Sequence, residues 1–270
     1  MIRSADGVPS EALRAAMLAA FSDYAVPMQP SQTSFNLMLR QRGFVPDASL
    51  VTMAGDTVVA IWLVGRRGAD AYLIASGTRP EDRGRGLARA MADRSLAGLV
   101  AHGARTFTTE VMDGNAPARA LYLSLGMEAV RPLDCYQLVQ SGGGGDVVDT
   151  PWDRLSVEAP TLWDWPPTWQ NDVAALSAVP GNIRSVTIWD VAGLAGYAAR
   201  IETTMTLAQI AVRPDRRRNG LGRALVGALA PTDQHLRIIN ADGRDPGFRA
   251  FAKALGATPM VGQTELRCAL

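Results

Sequence analysis

Arg83-Gly84-Arg85-Gly86 is a run whose residue types and order could do chemistry. An apolar, strand-like stretch at 71–75 precedes it. A helix pattern follows, with Ala88, Met91, Ala92, Ser95 and Leu99 on one face of a 3.6-residue period. Strand, glycine turn and helix N-terminus, in that order, point several backbone N–H groups at one spot near the positive end of a helix dipole. The chemistry this serves is anion binding. Gly84 and Gly86 carry no Cβ, so a phosphate can approach the backbone closely. A Walker loop would need Gly-Lys-Ser/Thr, and no lysine is present here. A Rossmann fingerprint would need a small residue three after Gly86, where the chain has Arg89.

What remains is Arg83-x-x-Gly86-x-Ala88, which resembles the coenzyme A pyrophosphate loop of the GNAT family of N-acetyltransferases. The next motif strengthens the resemblance. Glu110-Val111 ends a strand, Asn115 follows, a short helix carries Leu121-Tyr122, and Leu125-Gly126-Met127 closes the segment, with Met127 where the family has Phe. The likeness covers residues 1–140. It implies an α/β (α+β) domain in which a mixed, mostly antiparallel sheet is flanked by helices and its splayed central strands bind coenzyme A. It also implies acetyl-CoA as cosubstrate, no metal, and direct attack by a primary amine without an acyl-enzyme.

Site residues follow from the same resemblance. Tyr122, a phenol that titrates near ~10, would donate to the departing thiolate; the alternative is a packed tyrosine with a satisfied hydroxyl. Glu110 would take a proton from the amine directly or through water, or else pair with an arginine at the strand end. Backbone amides of Ser76, Gly77 and Thr78 would bind pantetheine and the thioester oxygen. Arg83, Gly84, Arg85, Gly86, Leu87 and Ala88 would hold the pyrophosphate, and Asn115 the pantetheine arm. Phe21, Tyr24 and Met28 would line the acceptor site or simply close the core. His102 and His235 are isolated and take no role.

These residues need a frame. Helices are expected at 10–21 and 31–42, broken by Pro27 and Pro30. A hairpin is expected at 49–53 and 57–64 around Gly55-Asp56, then strands at 71–77 and 106–111, helices at 86–102 and 117–125, and a final strand near 136–139. The glycine run 142–145 reads as a linker, giving domains at 1–140 and 151–270 joined by 141–150.

The second half repeats the first. Ile210 to Gly222 aligns with the opening loop, Arg217 on Arg83 and Gly220 on Gly86; Leu255-Gly256-Ala257 aligns with Leu125-Gly126-Met127, and Cys268 falls in a terminal strand as Cys135 does. The chemistry-bearing positions differ. Tyr122 maps onto Ala252, Glu110 onto Asn240, Asn115 onto Asp245 and Gly84 onto Arg218. The copy therefore reads as degenerate, with Arg218 crowding the phosphate approach. Trp152, Trp163, Trp165, Trp169 and Trp189 would pack it or wall a site.

A formal net charge of +1 gives no reason to expect nucleic-acid or membrane binding. Two cysteines form neither a disulfide framework nor a metal cluster. The apolar run 15–21 is too short to span a bilayer, so a cytoplasmic chain is the simple expectation. The sequence sets neither the oligomeric state nor which small-molecule or peptide amine accepts the acetyl group. The two functions it leaves standing are an amine N-acetyltransferase with its site in the first domain and a non-catalytic acetyl-CoA sensor or scaffold.

Overall fold

The structure, a computed structural model, describes residues 1–24, 29–138, 146–230 and 235–270. The chain divides into two compact units. Unit 1 comprises 1–111, 115–130 and 265–270, and unit 2 comprises 112–114 and 131–264.

Unit 1 opens with β1 (Ile2–Ser4), α1 (Ser10–Ala20) and α2 (Gln32–Gln41). Ser31 caps α2 by accepting from the Ser34 amide at 3.1 Å. Then come β2 (Leu50–Ala54), β3 (Thr57–Arg67), β4 (Asp70–Thr78), α3 (Leu87–Ala101), β5 (Thr106–Met112) and α4 (Ala116–Ser124). β1 through β4 pair antiparallel in chain order, and β4 pairs parallel with β5. One face of this sheet buries Trp62, Leu73, Phe107 and Val111 against Met91, Leu99 and Tyr122 of α3 and α4. β3 is buried at every position from Val58 to Gly65, so both of its faces are covered.

Unit 2 contains β6 (Glu128–Leu138), β7 (Val148–Asp149), α5 (Trp152–Glu158), α6 (Val173–Ser177), β8 (Ile183–Asp190), β9 (Gly193–Ile201), β10 (Thr206–Val212), α7 (Leu221–Leu229), β11 (Leu236–Asp242), α8 (Pro246–Ala254) and β12 (Thr258–Pro259). Its sheet runs β6-β11-β10-β9-β8-β7, with β10 and β11 parallel and β12 pairing with β6. Leu225, Val226 and Leu229 of α7 pack on one face, and Trp152 and Leu155 of α5 on the other.

The terminal strands are exchanged relative to a contiguous division at 141–150. The strand expected to end the first domain is β6, and from Leu133 to Leu138 it pairs with β11 of unit 2. In its place beside β5 runs β13 (Gln263–Ala269), from the end of the chain. Tyr136 and Leu138 join the core of unit 2, whereas Leu266, Cys268 and Leu270 pack in the core of unit 1. Of the expected linker, 141–145 lies outside the described residues, and Val148 and Asp149 are already paired with β8.

Candidate active site

The anion loop is built by backbone conformation. Pro80–Asp82 form a single 3₁₀ turn after β4. Gly84 (φ +77°) and Gly86 (φ +72°) are both left-handed, and Gly86 caps α3. A Cβ at either would meet nothing within 4 Å. Glycine is therefore favoured here by φ, and the space above the backbone stays open for a ligand. Leu87 packs into the core and Ala88 opens the helix.

The two arginines of the loop are held by carboxylates. Arg85 donates to Asp82 at 3.0 Å. Arg83 turns back toward the end of α1, donating to Asp23 at 2.6 and 2.8 Å, to the Ala20 carbonyl at 2.9 Å and to the Thr78 carbonyl at 3.2 Å. Its charge, expected beside the pyrophosphate, is matched by Asp23. The bidentate geometry suits a guanidinium clamp that ties α1 to the loop.

The central strands part just below the loop. β4 and β5 pair only at Asp70↔Thr106, Ala71↔Phe107 and Tyr72↔Thr108, so beyond Tyr72 that side of β4 has no ladder with β5. A bulge in the β3–β4 register between Leu73 and Ala75 places Ser76 opposite Trp62. That puts Ser76 on the face of Trp62 and Tyr122, and its side chain acts on the Tyr122 phenol. Gly77 points to the opposite face. A Cβ there would lie 2.7 Å from Cβ of Ala20 and 3.4 Å from Phe21, so glycine lets α1 lie directly on the strand.

Tyr122 is 6% exposed, with its ring edge-on to Trp62 at 6.3 Å. Burial pushes its phenol well above the ordinary range, and the charge of Tyr24 adds to the effect. The hydroxyl is thus a neutral donor. Asn115 caps α4 through the Ala118 amide (3.2 Å) and donates Nδ2 to the Tyr24 hydroxyl at 2.8 Å. Phe21 and Tyr24 stack edge-on at 4.7 Å. Phe21 therefore lies at Gly77 and Tyr24 at Asn115, whereas Met28 lies outside the described residues. Glu110 accepts a hydrogen bond from the Tyr72 hydroxyl, and Arg42 and Glu265 also act on the charge of Tyr72.

Unit 2 repeats this arrangement. β10 and β11 pair only at Thr206↔Arg237 and Leu207↔Ile238 before parting. Arg217 clamps Asp164 at 2.8 and 2.9 Å, and Trp165 Nε1 donates to Asp245, the cap of α8, at 3.2 Å. Asp164-Trp165 thus does what Asp23-Tyr24 does. Arg218 takes the left-handed conformation of Gly84 (φ +64°), and Gly220 follows at +81°. Arg218 thus carries a full side chain where unit 1 has Gly84, on the loop expected to take the phosphate. The residue is exposed and borders a cavity of about 920 Å³ lined by Trp163, Trp165, Ile210, Phe248 and Phe251. Trp163 and Trp165 line that cavity while packing on the two cores of unit 2.

The proton-handling positions of unit 2 carry other side chains. Ala252 is fully buried, and Asn240 is buried while accepting from Gln263 at 2.8 Å. Where β10 and β11 part, a polar chain fills the fork. Trp163 donates to Tyr197, Tyr197 to Gln209, and Gln209 to the Asn171 carbonyl, while Asn171 Nδ2 donates to the Ile239 carbonyl, all at 2.6–2.8 Å.

Asp23, Tyr72, Glu265 and the unit 2 cavity were missed by sequence reasoning. For Asp23 a signal exists: each half carries an Asp-aromatic pair, Asp23-Tyr24 and Asp164-Trp165, ahead of its loop arginine.

The family model described as acetyltransferase (GNAT) matches residues 14–127 and again 148–254. The chain belongs to this GNAT family. It does so as a tandem protein, with one match in each half. A tandem GNAT protein from the clavulanic acid biosynthesis pathway is similar at 18% identity and a TM-score of 0.71, covering 100% of this chain and 97% of that one. A GCN5-related N-acetyltransferase from Sphaerobacter thermophilus is similar at 16% identity and a TM-score of 0.72, covering 100% and 95%. At these identities the likeness speaks for the fold. Among curated proteins none matches. No helix among the described residues is long and apolar enough to cross a membrane.

Proposed function

We propose that the chain is an acetyl-CoA-dependent N-acetyltransferase acting on a primary amine, with transfer in unit 1. GNAT membership supports acetyltransferase as the general kind. The observation that carries the placement is Tyr122. It is a buried, neutral phenol on the Ser76 face, beside the fork of β4 and β5, where unit 2 has Ala252.

The residues fit the cosubstrate. The unladdered side of β4 at Ser76–Thr78 offers amides to the pantetheine arm and the thioester oxygen, and the left-handed turn at Gly84 and Gly86 offers amides to the pyrophosphate. The acceptor ammonium gives a proton to Glu110, directly or through water. The free amine attacks the thioester carbon, the C–N bond forms and the C–S bond breaks. Tyr122 donates to the departing sulfur, and the proton lost from the attacking nitrogen restores the phenol through solvent.

The test is thiol release from acetyl-CoA with a panel of short peptides bearing free α-amino groups, polyamines and aminoglycosides. Amine-dependent release with acetylated product is the expected result; no transfer to any of them overturns the reading.

A specific observation favours a second reading for unit 2, that of a coenzyme-holding module without transfer. Its cavity and anion loop are open while its fork is filled by Gln209 and Asn171. Calorimetry with acetyl-CoA discriminates the two: two sites per chain favour a holding role, one site excludes it.

A further inference from the structure

Two neighbouring residues after α1 reach the two sides of the fork in unit 1. On one side Arg83 follows β4, and all three of its guanidinium nitrogens are committed. Nε donates to the Thr78 carbonyl at the end of β4, Nη1 to Asp23, and Nη2 to Asp23 and the Ala20 carbonyl. On the other side Asn115, between β5 and α4, donates Nδ2 to the Tyr24 hydroxyl at 2.8 Å. Asp23 and Tyr24 are consecutive, so their Cα atoms stand about 3.8 Å apart. The chain of bonds from Thr78 through Arg83, Asp23 and Tyr24 to Asn115 therefore crosses the gap that opens where β4 and β5 lose their ladder beyond Tyr72. Phe21 seats this segment on β4. Its ring lies edge-on to Tyr24 at 4.7 Å, and a Cβ on Gly77 would come within 3.4 Å of it.

Unit 2 builds the same crossing from different side chains. Arg217 donates Nε to the Val212 carbonyl, at the end of β10, at 2.9 Å, and Nη2 to both oxygens of Asp164. The next residue, Trp165, donates Nε1 to Asp245, the cap of α8. One link is amide to hydroxyl, the other indole to carboxylate. What the halves share is the crossing itself, made each time by an Asp-aromatic pair. Stability does not account for it in unit 1. The Arg83 and Asp23 side chains are 42% and 49% exposed, and an ion pair so placed adds little to folding.

We propose that Asp23 and Tyr24 are positioning residues that fix the width of the fork, so that the amides of Ser76–Thr78 on β4 and the Tyr122 hydroxyl on α4 face the thioester at a set separation. This rests on the reading of unit 1 as the transfer site. The two ties act in series. The crossing holds only while both ends are attached, and cutting either end frees it. Positioning of this kind carries a large factor, since a misplacement of about 1 Å costs about 10²-fold in rate.

The test compares wild type, Asp23→Ala, Tyr24→Phe and the double variant in the full chain, by thiol release with the amine of the panel that wild type acetylates fastest. Asp93→Asn, which weakens an exposed ion pair on α3 outside the crossing, is the control. In either single variant kcat is expected to fall about 10–10²-fold, and no further in the double variant, with the thermal midpoint nearly unchanged. The control is expected to keep the wild-type kcat. Side chains that only line an acceptor site or only pack would lose independently, so losses that multiply in the double variant overturn the proposal. Single variants with the wild-type kcat overturn it as well. A second readout needs no transfer: amide hydrogen exchange over residues 74–79 is expected to quicken equally in both single variants and in the double. Exchange that stays at the wild-type rate overturns the proposal. Quickened exchange in a chain that acetylates no amine supports the crossing and counts against the transferase reading alone.

Discussion

Replacing Tyr122 with Phe removes one hydroxyl from the centre of unit 1 and leaves the ring in place. The ring is 6% exposed and edge-on to Trp62, so its packing survives. What is lost is the hydroxyl, which faces the partly exposed Ser76. A single neutral hydrogen bond is worth about 0.5–1.5 kcal/mol, so the thermal midpoint is expected to fall by no more than about 6 °C. Turnover is a separate matter. A positioned general acid contributes about 10²–10⁴-fold, so kcat is expected to fall by that factor while the acetyl-CoA dissociation constant stays within about twofold. Because burial raises the phenol far above its ordinary range, Tyr122 remains a donor through pH 10. The wild-type rate is thus expected to show no alkaline loss from this group. The assay is thiol release from acetyl-CoA across pH 6–10 for wild type, Tyr122→Phe, Ser76→Ala and the double variant. The two side chains act on one another, so their stability costs are expected to be less than additive. Equal kcat in wild type and Tyr122→Phe would refute the acid role and leave Tyr122 as a packed core residue.

Other perturbations follow from the same geometry. Gly77→Ala puts a Cβ 2.7 Å from Ala20, so α1 must shift; a loss of about 1–3 kcal/mol is expected in chemical denaturation. Asn115→Ala removes the cap of α4 and the bond to Tyr24, with an expected loss of about 0.5–2 kcal/mol in the same assay, largely spared in Asn115→Asp, which retains the cap. Asp242 of unit 2 is 3% exposed; burial raises its carboxyl, but bonds from Arg244 and Arg131 win and hold it at about 2. That folded value lies below the ordinary one, so the stabilisation, roughly 2 kcal/mol, is complete above pH 4 and lost as pH falls from 4 to 2. Acid titration of Asp242→Asn is expected to lack that segment of the curve.

Much of the frame was legible in the residues. The β-formers around Gly55-Asp56 specified a hairpin, and the 3.6 period after Gly86 specified α3, because local pattern and burial agree there. The glycine turn at Gly84 and Gly86 was legible from residue order, but its left-handed backbone was not. Nor was the strand exchange. A period-2 pattern says that a strand has an inner face without saying which sheet receives it. The partner of Arg83 was hidden for a related reason: Asp23 lies 60 residues away, and only the fold brings α1 onto the loop. At Arg218 the residue type was legible but its left-handed φ was not. Tyr72 and Glu110 belong to strands that part in space, so neither sequence spacing nor composition announces their bond.

The placement of transfer in unit 1 is tested most directly by comparing Gly86→Val with Gly220→Val in acetyl-CoA-dependent acetylation of the amine panel. Both positions are left-handed caps, of α3 and α7, and both substitutions strain the same turn. The expected result is transfer abolished by Gly86→Val and retained by Gly220→Val. Transfer that survives the first and is lost with the second would place the chemistry in unit 2 and contradict the account.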